Sequence, residues 1–154
     1  MPGLPLPEAR FETEPFWTGG ERGELLIYRC DDCGLWLHPP KPVCRRCLSR
    51  SVGPVAVSGT GTVYSYTVNH QPWIPGIAVP YILAIIELDE DPGLRVSTRL
   101  TGVEPADVRI GLRVRVTFTR DDDVWLPFFT PLAAGESAGD SAGEEPAAVK
   151  ENAR

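Results

Sequence analysis

The chain has 154 residues and a formal net charge of −6 at pH 7, from 15 Lys and Arg against 21 Asp and Glu. Five acidic and two basic residues fall within 133–154, so the rest of the chain has a net charge of only −3. A nearly neutral folded part lacks the basic face that nucleic-acid binding generally requires. The apolar runs are too short to span a bilayer and the N-terminus lacks the pattern of a signal peptide, which predicts a cytoplasmic protein with no membrane partner.

Shifts in composition divide the chain into four predicted segments. They are an N-terminal arm over residues 1–24, a metal-binding ribbon over 25–52, a barrel over 53–132 and a disordered acidic tail over 133–154. The tail is rich in Ala, Gly, Ser and Glu. Such a composition cannot bury enough apolar surface to offset the entropy of ordering the chain.

In the arm, Thr13 precedes an acidic residue, a proline and two aromatic residues, which is typical of the start of a short helix. The pair Gly19–Gly20 predicts where that helix ends. Phe16 and Trp17 form an apolar cluster that needs a surface to cover it. They are candidate partner-interface residues, and packing on the chain's own ribbon is the alternative.

The four cysteines of the ribbon lie in two Cys-x-x-Cys knuckles, Cys30 with Cys33 and Cys44 with Cys47. Two such knuckles at this separation predict one tetrahedral site with four thiolate ligands, most simply a structural Zn²⁺, because no coordination position remains for water. Iron, which four thiolates also hold, is the second choice. Two disulfides would require an oxidising compartment, which a cytoplasmic protein does not have.

The barrel segment is predicted to be all-β, with strands at 62–68, 81–88, 94–100, 112–118 and 125–129. Val63, Ser65 and Thr67 are expected to share one face of the first of these strands. The continuous apolar run of residues 81–88 predicts a strand buried on both faces. Five strands with a helical turn near 104–107 predict a mainly β protein with an OB-type barrel, and a five-stranded sandwich is the alternative.

Between the first two barrel strands, residues 71–80 form a loop that contains three prolines and several large apolar side chains. Surface loops are normally polar, so Trp73, Ile74 and Ile77 are candidate partner-interface residues. The alternative is that these side chains fold back and close the mouth of the barrel. The acidic clusters at 89–91 and 121–123 lie beside predicted turns and are expected to be solvated. No combination of nucleophile, acid and base emerges, so no catalytic residue is assigned.

Taken in order, these motifs resemble a known family. The resemblance rests on residues 15–17, 23–25, 30–34, 39–40, 44–47, 58–68 and 70, and continues at 80–81, 87–89 and 110–114. Over residues 14–131 the chain is similar to acyl-CoA-associated proteins that have a rubredoxin-like zinc ribbon before an OB fold, long classified as a domain of unknown function. The resemblance implies a non-catalytic scaffold subunit of a thiolase-fold acyl-CoA enzyme, a lipid-transfer-type thiolase or aldolase of lipid or steroid side-chain metabolism.

The resemblance also implies that such a chain can contribute to binding CoA or the acyl chain. Lys41, Arg45 and Arg46, around the second knuckle, are the candidate site for a CoA phosphate, because guanidinium groups bind phosphate in a bidentate manner. Family members often have proline at the position of Arg45, so the charge beside the knuckle differs here. Compensation of the negative charge of a four-thiolate metal centre is the alternative role for these residues.

Two other function classes remain open from the sequence. OB folds and zinc ribbons also occur in single-stranded nucleic-acid binders, in which Tyr64 and Tyr66 would stack on bases beside Arg113 and Arg115. The low charge of the folded part disfavours that function. A rubredoxin-like electron carrier is the third class, and it requires iron in the four-cysteine site.

Overall fold

The computed structural model describes residues 5–73 and 76–133. Within them, one α-helix, α1 (Glu14–Thr18), lies between 3₁₀ turns at Phe11–Thr13 and Gly19–Arg22, and a third 3₁₀ turn lies at Pro105–Asp107. The strands are β1 (Leu25–Cys30), β2 (Trp36–Leu37), β3 (Val52–Val57), β4 (Thr60–Asn69), β5 (Tyr81–Leu88), β6 (Arg95–Leu100), β7 (Arg113–Asp121) and β8 (Val124–Pro131). Apart from residue 133, the predicted tail lies outside the described residues, as does Ile74.

The predicted helix of the arm is confirmed as α1, which has a proline in its first turn. The arm then packs on the barrel through Gly20. A Cβ atom on Gly20 would lie 2.5 Å from the Cβ of Trp125 and 2.6 Å from Cδ1 of Phe118. Glycine therefore allows the backbone to approach β7 and β8 more closely than any other residue would.

The ribbon is a small antiparallel sheet with the strand order β2-β1-β3. β3 pairs with β1 along its whole length, from Leu25 opposite Val57 to Cys30 opposite Val52. Residues 53–57, which the composition groups with the barrel, thus add a strand to the sheet that leads into the first knuckle. The predicted boundaries between the four segments, after residues 24, 52 and 132, stay predictions.

The five remaining strands form a closed barrel with the order β4-β5-β6-β8-β7, which confirms the mainly β fold with a ribbon before a barrel. The alternation expected along β4 is wrong at one point. Val63 pairs with Ile86, but Ser65 pairs with Ile85, so Tyr64 is the extra residue of a β-bulge. The bulge places Val63 and Ser65 on opposite faces of the sheet, because it shifts the side-chain period by one residue.

The prediction that residues 81–88 are buried on both faces is also wrong. Ile82, Ala84, Ile86 and Leu88 are buried inside the barrel, while Leu83 and Ile85 are 41% and 37% exposed on its outside. Only one face of a strand can point into a small closed barrel. The outer face of β5 therefore leaves two apolar side chains, Leu83 and Ile85, partly exposed.

Ribbon and barrel share one apolar core. Phe16 of α1 and Leu25 and Ile27 of β1 belong to the same buried cluster as the inward-facing barrel residues. At the junction, the N–H of Ser58 donates a hydrogen bond of 2.5 Å to Glu90, and the hydroxyl of Thr60 donates one of 2.5 Å to Asp89. The expectation that the acidic cluster at 89–91 is merely solvated is therefore wrong for these two carboxylates, which hold the start of the barrel against the turn after β5.

Among residues 5–73 and 76–133, no helix has the length and apolar character needed to cross a membrane.

Candidate functional site

The two knuckles bring their four sulfur atoms together, all within 4.8 Å of one another. The Sγ atoms of Cys30 and Cys47 are 3.5 Å apart, as are those of Cys33 and Cys44. Four thiolates around a tetrahedral Zn²⁺ with bonds of about 2.3 Å have sulfur–sulfur separations of about 3.8 Å. The arrangement thus fits a tetrahedral, thiolate-binding metal ion and confirms the predicted ligand set as a metal-binding arrangement.

Both knuckles use the same backbone turn to direct their sulfurs. In the first, the N–H of Gly34 donates a 2.9 Å hydrogen bond to the carbonyl oxygen of Cys30, and in the second the N–H of Leu48 donates one of 3.0 Å to that of Cys44. Gly34 and Leu48 have φ angles of 72° and 60°. The turns leave backbone N–H groups pointing inward, and that of Arg46 lies 3.4 Å from the sulfur of Cys44.

These surroundings shift the pKa values of Cys44 and Cys47 in opposite directions. The backbone N–H of Cys47, followed by that of Arg46, stabilises the thiolate of Cys44 and holds its pKa down to about 6. For Cys47 the N–H of Ser49 acts in the same direction, but desolvation and hydrogen bonds with the other three sulfurs outweigh it and raise the pKa to about 12. Four thiolates at this spacing repel one another, so their joint ionisation requires a bound cation.

Side chains next to the knuckles hold them in place. The hydroxyl of Ser51 donates a 2.8 Å hydrogen bond to Asp31, which joins the first knuckle to the start of β3. Arg29 donates to the carbonyl oxygen of Gly34 at 3.3 Å, and its guanidinium carbon lies 5.1 Å from the ring centre of Trp36. Arg29 is therefore engaged in the structure of the first knuckle.

The basic residues around the second knuckle have a different environment. Lys41, Arg45, Arg46 and Arg50 are all exposed. None of them takes part in a salt bridge or side-chain hydrogen bond with residues 5–73 or 76–133. All three predicted phosphate-binding residues are exposed, and both their joint site and its ligand stay predictions.

On the barrel, a groove of about 500 Å³ lies outside β5, and we call it the outer groove. Leu83 and Ile85 form its floor, and Trp17, Tyr66 and Phe128 line it from neighbouring elements. Ser97 pairs with Ile85 and Arg99 pairs with Leu83, so both lie on the same face of the sheet. The guanidinium carbon of Arg99 lies 5.0 Å from the ring centre of Tyr81 and 5.9 Å from that of Phe128. The outer groove is thus mainly apolar, and its lining includes the cation Arg99, which lies near two aromatic rings.

The predicted interface residues occupy three different environments. Phe16 is only 8% exposed, and its ring lies 5.0 Å from that of His38, so packing within the chain covers it. Trp17 is half-buried in the wall of the outer groove. Trp73 is 72% exposed and Ile77 is half-buried. Trp73 therefore does not close the barrel mouth, and the partner role of these residues stays a prediction.

Of the residues proposed for binding nucleic-acid bases, Tyr66 lines the outer groove, whereas Tyr64 and Arg113 have other partners. The guanidinium carbon of Arg95 lies 3.5 Å from the ring centre of Tyr64, and Arg95 also binds Glu87 at 3.0 Å. Arg113 makes two hydrogen bonds of 2.6 Å with Asp89, which raise the pKa of the guanidinium. An apolar groove whose neighbouring cations have partners disfavours binding of an anionic strand.

Sequence reasoning missed two features of this surface. Leu83 and Ile85 alternate with inward-facing residues, but the intervening Ile82, Ala84 and Ile86 are equally apolar, so the exposed face left no signal in the sequence. Leu48 is 77% exposed at the tip of the second knuckle. Its position, directly after the last cysteine and matching that of Gly34, was a signal that could have identified it.

The chain is similar in sequence to known protein families and to longer proteins. Two family profiles match the chain: "ChsH2, rubredoxin-like zinc ribbon domain" over residues 17–53 and "ChsH2, C-terminal OB-fold domain" over residues 54–119. The 3-oxo-4,17-pregnadiene-20-carboxyl-CoA hydratase alpha subunit of Mycobacterium tuberculosis is 41% identical over 112 residues, which cover 73% of this chain. The chain spans 35% of the length of that protein and 39% of that of a probable enoyl-CoA hydratase alpha subunit from Thermomonospora curvata.

Smaller relatives match over most of their length. A DUF35 domain-containing scaffold protein of Methanocaldococcus jannaschii is 36% identical over 102 residues, 65% of this chain and 71% of that protein. A solved chain of the Ltp2-ChsH2(DUF35) aldolase superposes with a TM-score of 0.71 at 36% identity, over 81% of this chain and 98% of the other. Both domains are thus matched in order, and the chain belongs to the DUF35 family of ChsH2-type proteins, in which a rubredoxin-like zinc ribbon precedes an OB-fold domain.

Proposed function

We propose that this chain is a non-catalytic accessory subunit that binds a thiolase-fold acyl-CoA enzyme, a lipid-transfer-type thiolase or aldolase of lipid or steroid side-chain metabolism, in the cytoplasm. The observation that carries the proposal is the outer groove. Its floor exposes Leu83 and Ile85 on a strand whose other face is fully buried in the barrel. An apolar surface of this kind on a rigid barrel is characteristic of a binding site for another molecule.

The relatives support a protein partner for that groove. Their names describe a hydratase alpha subunit, a scaffold protein and an aldolase that contains a ChsH2 DUF35 chain. Each name places the homologous chain in an assembly with other chains or identifies it as a scaffold. The exposed Trp73, on the loop that leads into β5, adds an aromatic side chain of the type that often anchors protein interfaces.

Size-exclusion chromatography with light scattering would test this proposal, using the full chain and a thiolase-fold protein encoded beside it. We expect a stable complex for the wild-type chain. We expect Leu83→Ser with Ile85→Ser to weaken it at least tenfold, since two side chains would no longer bury apolar surface at the interface. Ile110→Ser is the matched control, because Ile110 is 71% exposed and is not among the residues that line the groove. Absence of a complex with the wild-type chain, together with unchanged activity of the thiolase-fold protein, would contradict the proposal.

Zinc is the metal that we propose for the four-cysteine site. A closed site of four thiolates has no position for a substrate, and the matched profile describes a zinc ribbon. Bound zinc would stabilise the ribbon by joining its two knuckles. Elemental analysis of the purified chain is expected to give one zinc per chain and no visible absorption. A red protein with stoichiometric iron would favour electron transfer instead.

Contact of CoA with Lys41, Arg45 and Arg46 stays a prediction of this proposal. Calorimetric titration of the complex with CoA and with dephospho-CoA would test it, because only CoA has the 3′-phosphate. We expect the wild-type complex to bind dephospho-CoA more weakly than CoA. We expect the complex with Arg45→Ala and Arg46→Ala to bind the two ligands with equal affinity. Equal affinities of the wild-type complex for CoA and dephospho-CoA would contradict a phosphate-binding role for these residues.

A further inference from the structure

The two knuckles differ at one position in a way that folding does not explain. Gly34 and Leu48 each follow the second cysteine of a knuckle and close the same turn with left-handed φ angles of 72° and 60°. Glycine adopts this region without steric penalty, whereas the Cβ atom of leucine is forced against the following carbonyl oxygen. Leucine at this position therefore makes the second knuckle less stable than glycine would.

Packing does not compensate for this penalty. The side chain of Leu48 is 77% exposed and is not part of the apolar core cluster of the described residues. The turn itself is well defined, because the N–H of Leu48 donates a 3.0 Å hydrogen bond to Cys44, a ligand residue of the metal site. Leu48 thus combines a strained backbone conformation with an exposed apolar side chain, and the apolar core of residues 5–73 and 76–133 gains no packing from it.

The surroundings of Leu48 are positively charged. Arg45 and Arg46 lie before it within the same knuckle and Arg50 follows it, and all three are exposed. None of the three has a charged partner within the described part of the chain. Leu48 is therefore an exposed apolar residue in a short segment that also exposes three arginines, and we call Arg45, Arg46, Leu48 and Arg50 together the knuckle tip.

We propose that Leu48 is the anchor of a second docking surface, the knuckle tip, which binds a protein partner that offers an apolar pocket with carboxylates at its rim. A phosphate group would use the arginines but would gain nothing from leucine. A lipid surface requires more apolar area than one aliphatic side chain provides. An exposed apolar side chain on a hydrogen-bonded turn, with exposed arginines nearby in the chain, resembles interface anchors, in which an apolar centre is enclosed by a polar rim.

This inference rests on the proposed function, since the partner that we assign to the knuckle tip is the thiolase-fold subunit. The test is calorimetric titration of that subunit with wild-type chain, Leu48→Gly and Leu48→Asn, each with its metal bound. Asn tolerates the left-handed conformation and keeps a side chain, so it separates loss of the apolar anchor from a gain in flexibility. We expect both variants to bind about tenfold more weakly.

A readout of folding distinguishes an anchor from a structural residue. We expect Leu48→Gly to retain full metal content and to unfold at the same temperature as the wild-type chain or a higher one. Ile110→Ser, which alters another highly exposed aliphatic residue, is expected to leave the affinity unchanged. Arg50→Glu, which leaves the predicted CoA-phosphate residues unchanged, is expected to weaken binding and to reduce its dependence on salt concentration.

Several results would overturn the inference. If the wild-type chain binds the subunit and Leu48→Gly binds equally well, the anchor is refuted while the proposed function stands. If the wild-type chain does not bind the subunit, both the anchor role of Leu48 and the proposed function are refuted. If instead Leu48→Gly lowers only the affinity for phosphatidylserine vesicles, or Arg50→Glu lowers only the affinity for CoA, the knuckle tip is a lipid or phosphate surface and the protein-docking proposal is wrong.

Discussion

The ribbon and the barrel of this chain are stabilised in different ways. The barrel buries a layer of branched and aromatic side chains, among them Val63, Ile86, Val96 and Phe129. The ribbon has a two-residue strand at one edge of its sheet, and its knuckles bury little besides cysteine. Leu25 and Ile27 of β1 join the core shared with the barrel, but the knuckles themselves bury too little apolar surface to be stable, so the four thiolates hold that end of the ribbon together. Because the four-cysteine site holds the second knuckle in place, the knuckle can expose Leu48 and three arginines to solvent.

The largest expected effect comes from Cys44→Ser, which removes a buried ligand of the metal site. Structural zinc contributes on the order of 10–16 kcal/mol to small domains, so we expect the metal to be lost and the ribbon to unfold. Hydrogen exchange should show loss of protection in β1 to β3 and retained protection in β5 and β6. Ser51→Ala, which alters a neighbouring polar residue, is the control. Equal loss of protection in both sheets would show that the barrel depends on the metal as well.

A smaller effect, confined to the barrel, is expected for Phe129→Ala. Phe129 is fully buried, and truncation of such a side chain lowers the free energy of unfolding by about 3–5 kcal/mol. Urea unfolding would measure it, and metal content should stay at one per chain. Phe128→Ala is the matched control, because Phe128 is the half-buried neighbour that lines the outer groove. A similar loss for both variants would contradict the assignment of inner and outer faces.

The smallest effect is expected at the start of the barrel, for Asp89→Asn. Hydrogen bonds from Arg113, and then from Thr60, hold the pKa of Asp89 below its ordinary value of 3.8. Its stabilisation is therefore present above that pH and is lost as the pH falls through the lowered pKa in the folded state. Because both side chains of the ion pair are more than a third exposed, we expect at most about 1 kcal/mol at pH 7.

Urea unfolding of wild-type chain and Asp89→Asn between pH 7 and pH 3 would measure this difference. We expect the two stabilities to converge toward the acid end of the range. A difference that stays constant with pH would show that the carboxylate charge does not contribute.

The amino-acid sequence by itself determined the metal ligands, the short helix of the arm and the five barrel strands. These features depend on local patterns, namely the spacing of four cysteines, a proline before two aromatic residues and runs of β-forming residues between turns. The OB-type barrel could be predicted because few folds close five such strands into one core.

Only the tertiary structure decided which face of each strand is buried. The bulge at Tyr64 changes the facing of β4, and the curvature of the closed barrel leaves Leu83 and Ile85 outside. Neither is a property of a single strand, because facing depends on how neighbouring strands pair. The exposure of Leu48 is likewise known only from the folded knuckle, although its position after the last cysteine, matching that of Gly34, indicated a left-handed turn. The two surfaces proposed to bind a partner, the outer groove and the knuckle tip, therefore lie where burial and backbone geometry differ from what the local sequence pattern predicts.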